Sequence, residues 1–219
     1  MTSEMAISQE EKEQVYACHE VQVVDANTIY RQAEAGFELL RISNSKCNAL
    51  VSLQGAQILS FIPKNLPDLL WISPNAVIQA GSAIRGGIPI CLPWFGVNQH
   101  NPQKPKHGFA RISRWTVERA ATDVGGVTEL RLGLRAFRQR PHPLFDCRFE
   151  AALDISFGSE LEILLTVSNC EDTAMPLSWA LHSYHPVKNL ETTTITGLEQ
   201  AEYLDNTREL ARRKQRGSL

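Results

Sequence analysis

The chain has 219 residues, 43% of them hydrophobic, and a formal net charge of −2. That length supplies one sizeable core, and the balanced charge excludes the broad basic field of a nucleic-acid binder. Five cysteines (18, 47, 91, 147 and 170) form an odd set without C-x-x-C spacing, which speaks against a disulfide framework or zinc knuckle and for a reducing compartment.

In chain order, residues 1–18 read as an N-terminal extension or short helix. They lack the basic and apolar regions of a signal peptide. Ser8 and Glu11 have the spacing of a capping box, and Glu10 to Gln14 are good helix formers. No apolar run is long enough to span a bilayer, so the expectation is a cytoplasmic chain with no membrane partner. Strand-like segments follow at 37–42, 49–53, 57–62 and 69–72, then at 115–118 and 130–134 around the turn Gly125-Gly126. Phe149, Ala151, Leu153, Ile155 and Phe157 alternate with more polar neighbours. Beyond Gly158-Ser159, Leu161, Ile163, Leu165 and Val167 do the same. Period-two patterning on both sides of a turn predicts a β-hairpin with one buried face. Many short strands with almost no helical periodicity predict an all-β antiparallel sandwich or barrel, read as one domain over 1–219.

Chemistry concentrates in two linked segments. Arg85-Gly86-Gly87-Ile88-Pro89 opens a run to Gly96, and Lys106-His107-Gly108-Phe109-Ala110-Arg111 follows after a polar loop. The glycines let backbone or ligand approach closely, and Pro89 and Pro93 rule out a central strand across the whole run. Arg85, Lys106, His107 and Arg111 make this stretch suited to an anion. A second candidate is His182, in a strand-like segment at 177–185. On a strand His182 and His185 face opposite sides, so they do not share a metal, and no metal site is expected. A lone strand histidine is more often a core residue bonded to a carbonyl than a catalyst, and Asp205 alone reads as a turn aspartate. The basic run Arg212 to Arg216 reads as a solvated terminal segment.

Together these segments resemble the hexose-6-phosphate mutarotases (glucose-6-phosphate 1-epimerases) of the galactose mutarotase-like, aldose 1-epimerase superfamily. The matching elements are Gln54-Gly55-Ala56-Gln57, Leu70-Trp71-Ile72-Ser73, the Arg85 to Gly96 run, His107 to Arg111, Trp115, Leu181-His182-Ser183-Tyr184, Gly197-Leu198 and Tyr203-Leu204-Asp205. The resemblance implies an antiparallel β-supersandwich, here lacking its last strands, and interconversion of the α and β anomers of an aldohexose 6-phosphate without a cofactor. It makes His182 the general acid and Arg85 and Arg111 the substrate-binding arginines. It places Lys106 and His107 beside the substrate and gives Asp205 a contact to the sugar. It implies a monomer when full length.

Two departures accompany the resemblance. Lys106 stands where the family often has glutamine, and His185 where it usually has phenylalanine. The resemblance also calls for a glutamate base in a region beyond residue 219, so the chain is expected to be truncated and weakly active alone. Two enzyme-free alternatives stay open, a sugar-phosphate-binding protein and a purely structural β-domain. A third reading is an aldose 1-epimerase acting on free sugars.

Overall fold

The computed structural model describes residues 6–205 and 207–218; positions 1–5 of the N-terminal segment lie outside the described residues. The chain divides into two compact units, Met1–His185 and Pro186–Leu219.

The first unit begins with helix α1 (Gln9–Tyr16), and the capping box forms in both directions between Ser8 and Glu11. Glu11 does more than cap. Its carboxylate is buried, ion-pairs with Arg114 at 2.9 Å and accepts the Val117 amide. The helix is thereby pinned to the sheet that follows.

Two four-stranded antiparallel sheets make up the body of this unit. One contains β1 (Val21–Asp25), β2 (Glu38–Ser43), β3 (Cys47–Ser52) and β4 (Gln57–Pro63) in sequential order. After the two-residue strand β5 (Ile90–Cys91), the other contains β6 (Thr116–Thr122), β7 (Thr128–Leu134), β8 (Phe149–Phe157) and β9 (Leu161–Asn169), again sequential. Their facing sides share one core, in which Leu40, Val51 and Ile58 meet Leu132, Phe149 and Leu153. Apolar residues that alternate along a strand must bury one face, and packing two such faces together satisfies both sheets. The first sheet is also covered on its other side, where Leu39 and Leu59 pack with Phe37, Ile78 and Ile84. This two-sided burial explains why β4 is apolar almost throughout rather than alternating.

The β8–β9 hairpin has the predicted register, from Phe149 opposite Asn169 to Phe157 opposite Leu161. The inward residues of β8 are fully buried, whereas Leu161, Ile163, Leu165 and Val167 of β9 are half-covered. A hollow of about 420 Å³ opens beside Leu161 and Ile163, against Leu69, Ile88 and Leu181.

Expected strands elsewhere shrink. Residues 69–72 form no strand, only a bridge from Ile72 to Gly86, and of 177–185 only β10 (Ala180–Leu181) is regular, pairing with β5. Prolines 89, 93 and 176 withhold amide donors, so the pairing continues as single hydrogen bonds rather than a ladder.

The second unit contains the hairpin of β11 (Glu202–Asp205) and β12 (Ala211–Lys214), with Glu202 ion-paired to Arg212 at 3.0 Å. The basic run read as a solvated tail is therefore partly a strand, although its side chains are exposed. Among the described residues no helix is long and apolar enough to cross a membrane.

Candidate active site

The Arg85 and His107–Arg111 segments are both held against the rest of the first unit by contacts that exclude side chains. Gly86 and Gly87 have φ of 123° and 60°. A Cβ at the first would run into the Trp71 carbonyl and at the second into the Ile58 carbonyl. From behind, the buried amide of Gln57 donates to the carbonyls of Ile84 (3.1 Å) and Gly86 (2.7 Å), fixing the turn from which Arg85 projects. Arg85 itself is exposed, and among the described residues its side chain makes no hydrogen bond or ion pair.

The second segment is tighter still. His107 and Gly108 occupy successive left-handed conformations, with φ of 66° and 69°. A non-glycine residue there stores strain, a feature that collects at functional sites. Leu92 O accepts the amides of Phe109 (3.0 Å) and Ala110 (3.1 Å), and the bare Gly108 Cα lies against that same carbonyl. On the far side, Gly55 packs on the Arg111 backbone with no room for a side chain. The Gln54-Gly55-Ala56-Gln57 motif thus supports both segments at once, a structural role that its sequence spacing did not disclose.

His107 accepts the Gly96 amide at Nδ1 (3.2 Å), so its neutral ring carries the proton on Nε2. Burial lowers its pKa first, and the charges of Arg111, His182 and Lys106 lower it further. The same three groups define a local positive field, favourable to an anion. Arg111 donates Nη2 to the Lys106 carbonyl at 2.8 Å, which aims the guanidinium; its Nε is buried without a partner among the described residues. Lys106 is exposed and contributes through that carbonyl.

His182 enters from β10, its amide bonded to Pro89 O at 3.0 Å. Its ring lies 5.9 Å from His107, 6.0 Å from Phe95 and 4.9 Å from Tyr184, centroid to centroid. Its Nδ1 is buried and likewise unpartnered among the described residues. The carbonyl-bonded core histidine that a lone strand position suggests is therefore not what is found. Two unsatisfied buried donors or acceptors in one small region, on Arg111 and His182, are the kind of exception that points to a ligand. Beneath them Cys91 is buried, its thiol pushed up to about 11 by that burial, so it is no nucleophile at neutral pH.

His107, Arg111 and His182 thus come together, with Arg85 on the neighbouring turn. His185 turns away and bonds the Leu69 carbonyl at 3.0 Å. Asp205 belongs to the second unit, where its carboxylate accepts the hydroxyl (2.6 Å) and amide (3.0 Å) of Thr207 and ion-pairs with Arg213 at 3.3 Å. Those Thr207 bonds, with Arg213 and Arg208, hold its pKa below the ordinary carboxylate value. Among the described residues no three His, Cys, Asp or Glu side chains cluster closely enough to hold a metal ion. The rings of Phe95 and Tyr184 beside His182, and of Trp71 beside Tyr184, were not singled out as site residues in the sequence; each comes from a different segment.

Comparison with known proteins identifies the family. A family model described as aldose 1-epimerase matches residues 38–218. A protein of Escherichia coli K12, provisionally named a glucose-6-phosphate 1-epimerase, is 32% identical over 164 residues, covering 74% of this chain and 52% of that protein. A Salmonella typhimurium crystal structure, provisionally titled a mutarotase, superimposes with a TM-score of 0.69 at 30% identity, covering 83% of this chain and 58% of that one. A galactose mutarotase-like protein from Clostridium acetobutylicum shares the fold, with a TM-score of 0.65 at 16% identity over 88% of this chain and 62% of that one. The chain spans about half the length of the curated relatives it matches. It belongs to the aldose 1-epimerase family and has the galactose mutarotase-like antiparallel β-fold.

Proposed function

We propose that this chain forms the phosphate-binding and acid-donating part of a site that interconverts the α and β anomers of an aldohexose 6-phosphate. The observation that carries the reading is the grouping of the Arg111 guanidinium with the rings of His107 and His182, with a buried guanidinium nitrogen and a buried imidazole nitrogen left open among the described residues. A free sugar gives the guanidiniums of Arg85 and Arg111 no charge to pair with, whereas a phosphate accepts paired hydrogen bonds from planar guanidiniums.

In the proposed reaction His182 gives a proton to the ring oxygen while a carboxylate takes the proton of the anomeric hydroxyl. The C1–O5 bond breaks, the aldehyde end rotates about C1–C2, and the ring recloses on the opposite face with both protons returned. Arg85 and Arg111 hold the phosphate, and Lys106 and His107 border it. A sugar contact for Asp205 is implied by the resemblance and rests on its motif alone. None of the glutamates within residues 1–219 sits in a motif matching the base that the resemblance implies. The reading needs no cofactor, and a reducing cytoplasmic setting with a monomeric protein accompanies it.

Isothermal titration calorimetry with glucose 6-phosphate and with glucose tests the assignment. Binding of the phosphorylated sugar alone is expected; equal binding of both, or of neither, overturns it. Polarimetry on freshly dissolved α-glucose 6-phosphate should show exchange near background, and full activity would mean that a carboxylate of this chain serves as the base.

A further inference from the structure

Four rings form a continuous row at the site. Trp71 lies 6.1 Å from Tyr184, Tyr184 4.9 Å from His182, and His182 6.0 Å from Phe95, each plane turned from the last by 33°, 31° and 34° respectively. Trp71 and Phe95 at the two ends are 37% and 44% exposed, whereas Trp94 and Trp115 of the same unit are buried and Trp179 is 55% exposed outside the row. Scattered exposed aromatics are ordinary, but three rings linked with a histidine through successive tilted contacts are not scattered.

The row is also rigid. The Trp71 amide donates to Tyr184 O at 3.0 Å, its carbonyl accepts the Gly87 amide at 2.8 Å, and Gly87 O accepts the Tyr184 amide at 2.9 Å. Gly86, which has no room for a Cβ beside the Trp71 carbonyl, allows that close pairing. Arg85 O accepts the Ser73 amide at 3.0 Å, so the Arg85 turn adjoins the Trp71 end of the row. Phe95 is tied at its amide to the Ser178 hydroxyl at 3.0 Å. The backbone under these rings is fixed and an aromatic side chain has only two torsions to order, so a ligand that lies on them loses little freedom.

We propose that Trp71 and Tyr184 are specificity-determining residues on which the pyranose ring of the sugar phosphate stacks, carrying its anomeric end toward His182. The inference rests on the epimerase reading and adds what that reading lacks, a surface for the uncharged part of the substrate. A pyranose in its chair presents a face of C–H bonds, and the negative faces of aromatic rings attract their positive ends. The arginines then recognise the phosphate, and the rings recognise a closed sugar attached to it. An open-chain polyol phosphate satisfies the first and not the second.

Three probes separate these contributions: glucose 6-phosphate, glucitol 6-phosphate and inorganic phosphate, each titrated by calorimetry into the 219-residue chain. The wild-type chain should bind glucose 6-phosphate about tenfold more tightly than glucitol 6-phosphate. Trp71→Leu and Tyr184→Leu should each bring glucose 6-phosphate close to the level of glucitol 6-phosphate while inorganic phosphate changes by less than about twofold. Trp71→Phe and Tyr184→Phe keep a ring and should keep most of the preference. Glucose 6-phosphate should also shift the tryptophan emission of the wild-type chain, a change that inorganic phosphate does not produce and that Trp71→Phe removes. Leucine variants that bind glucose 6-phosphate as the wild type does overturn the stacking proposal and leave the epimerase reading intact. Leucine variants that also lose inorganic phosphate overturn it too, because the rings would then be holding the loop and not the sugar. A wild-type chain that binds none of the probes overturns the epimerase reading itself.

Discussion

The two arginines of the site are prepared in opposite ways. Arg111 is built in: its backbone is packed on Gly55, its guanidinium donates to Lys106 O, and its Nε is buried. Arg85 projects from an equally constrained turn, yet its side chain is exposed and free of partners among the described residues. A fixed guanidinium supplies direction with little ordering cost, while a free one supplies charge and pays side-chain entropy on binding. The difference teaches that glycine-locked backbone is common to both segments, and that what separates them is whether the side chain is locked as well.

The largest effect should come from breaking the lock on the Arg111 side. Gly108→Ala combines φ of 69° with a Cβ driven into the Leu92 carbonyl, and we expect a loss of about 3–4 kcal/mol in urea unfolding. Gly36→Ala has a similar φ of 81° but nothing within 4 Å, so it should cost only about 1–2 kcal/mol. Equal costs for the two would mean that the close approach at Leu92 is not what holds the segment. Next comes the brace behind it. Glu11→Ala removes the buried partner of Arg114 and the acceptor of Val117 N–H, with an expected loss of about 3 kcal/mol.

Ligand affinity sharpens the comparison at the side chains. Arg111→Lys keeps the charge but loses the donor to Lys106 O and the planar fork, and should weaken glucose 6-phosphate binding about tenfold. Arg85→Lys, replacing one exposed cation by another, should weaken it by about threefold or less. The Arg85 share should also fade faster with added salt, because exposed charges are screened more than buried ones. A larger loss from Arg85→Lys would reverse the assignment of roles.

The smallest effect is a pH slope. His107 titrates lower in the folded chain than its ordinary value of 6.5, because of burial first and then Arg111, His182 and Lys106. A depressed histidine contributes stability that is fully present above 6.5 and is lost as pH falls below it through the folded value. His142, lowered by burial alone, adds in the same direction. Unfolding midpoints should therefore drop on acidification below about pH 6.5. His107→Asn, which keeps an acceptor for Gly96 and tolerates positive φ, should flatten that slope. An unchanged slope would place the titration elsewhere.

The fold was largely readable where one physical signal acted alone. The β8–β9 hairpin follows from strict alternation around Gly158-Ser159, and α1 from its capping box. Legibility failed where two signals competed. Leu69 to Ile72 and Leu177 to His185 are apolar enough for strands, but glycine and proline in their partner replace the ladder with single bonds. β11 and β12 were missed because charged residues such as Glu202 and Arg212 pair across strands without any apolar alternation. Arg85, Lys106, His107 and Arg111 stood out as a dense local cluster. His182 did not, because a lone histidine on a strand has no sequence feature that shows its neighbours. Its company of Trp71, Phe95 and Tyr184 arises only from folding, and the family resemblance was the one signal that linked it to the arginines.

The outermost strand of the second sheet has a further bearing on how the protein behaves in a tube. β9 bonds β8 along nine residues, and among the described residues no strand bonds its other side. That side offers a ladder of free amides and carbonyls beside a half-covered apolar strip and the exposed Leu164. Such an edge recruits extended chain of any origin, so crowding and ageing of concentrated stocks should favour edge-to-edge clustering that a sugar ligand does nothing to prevent.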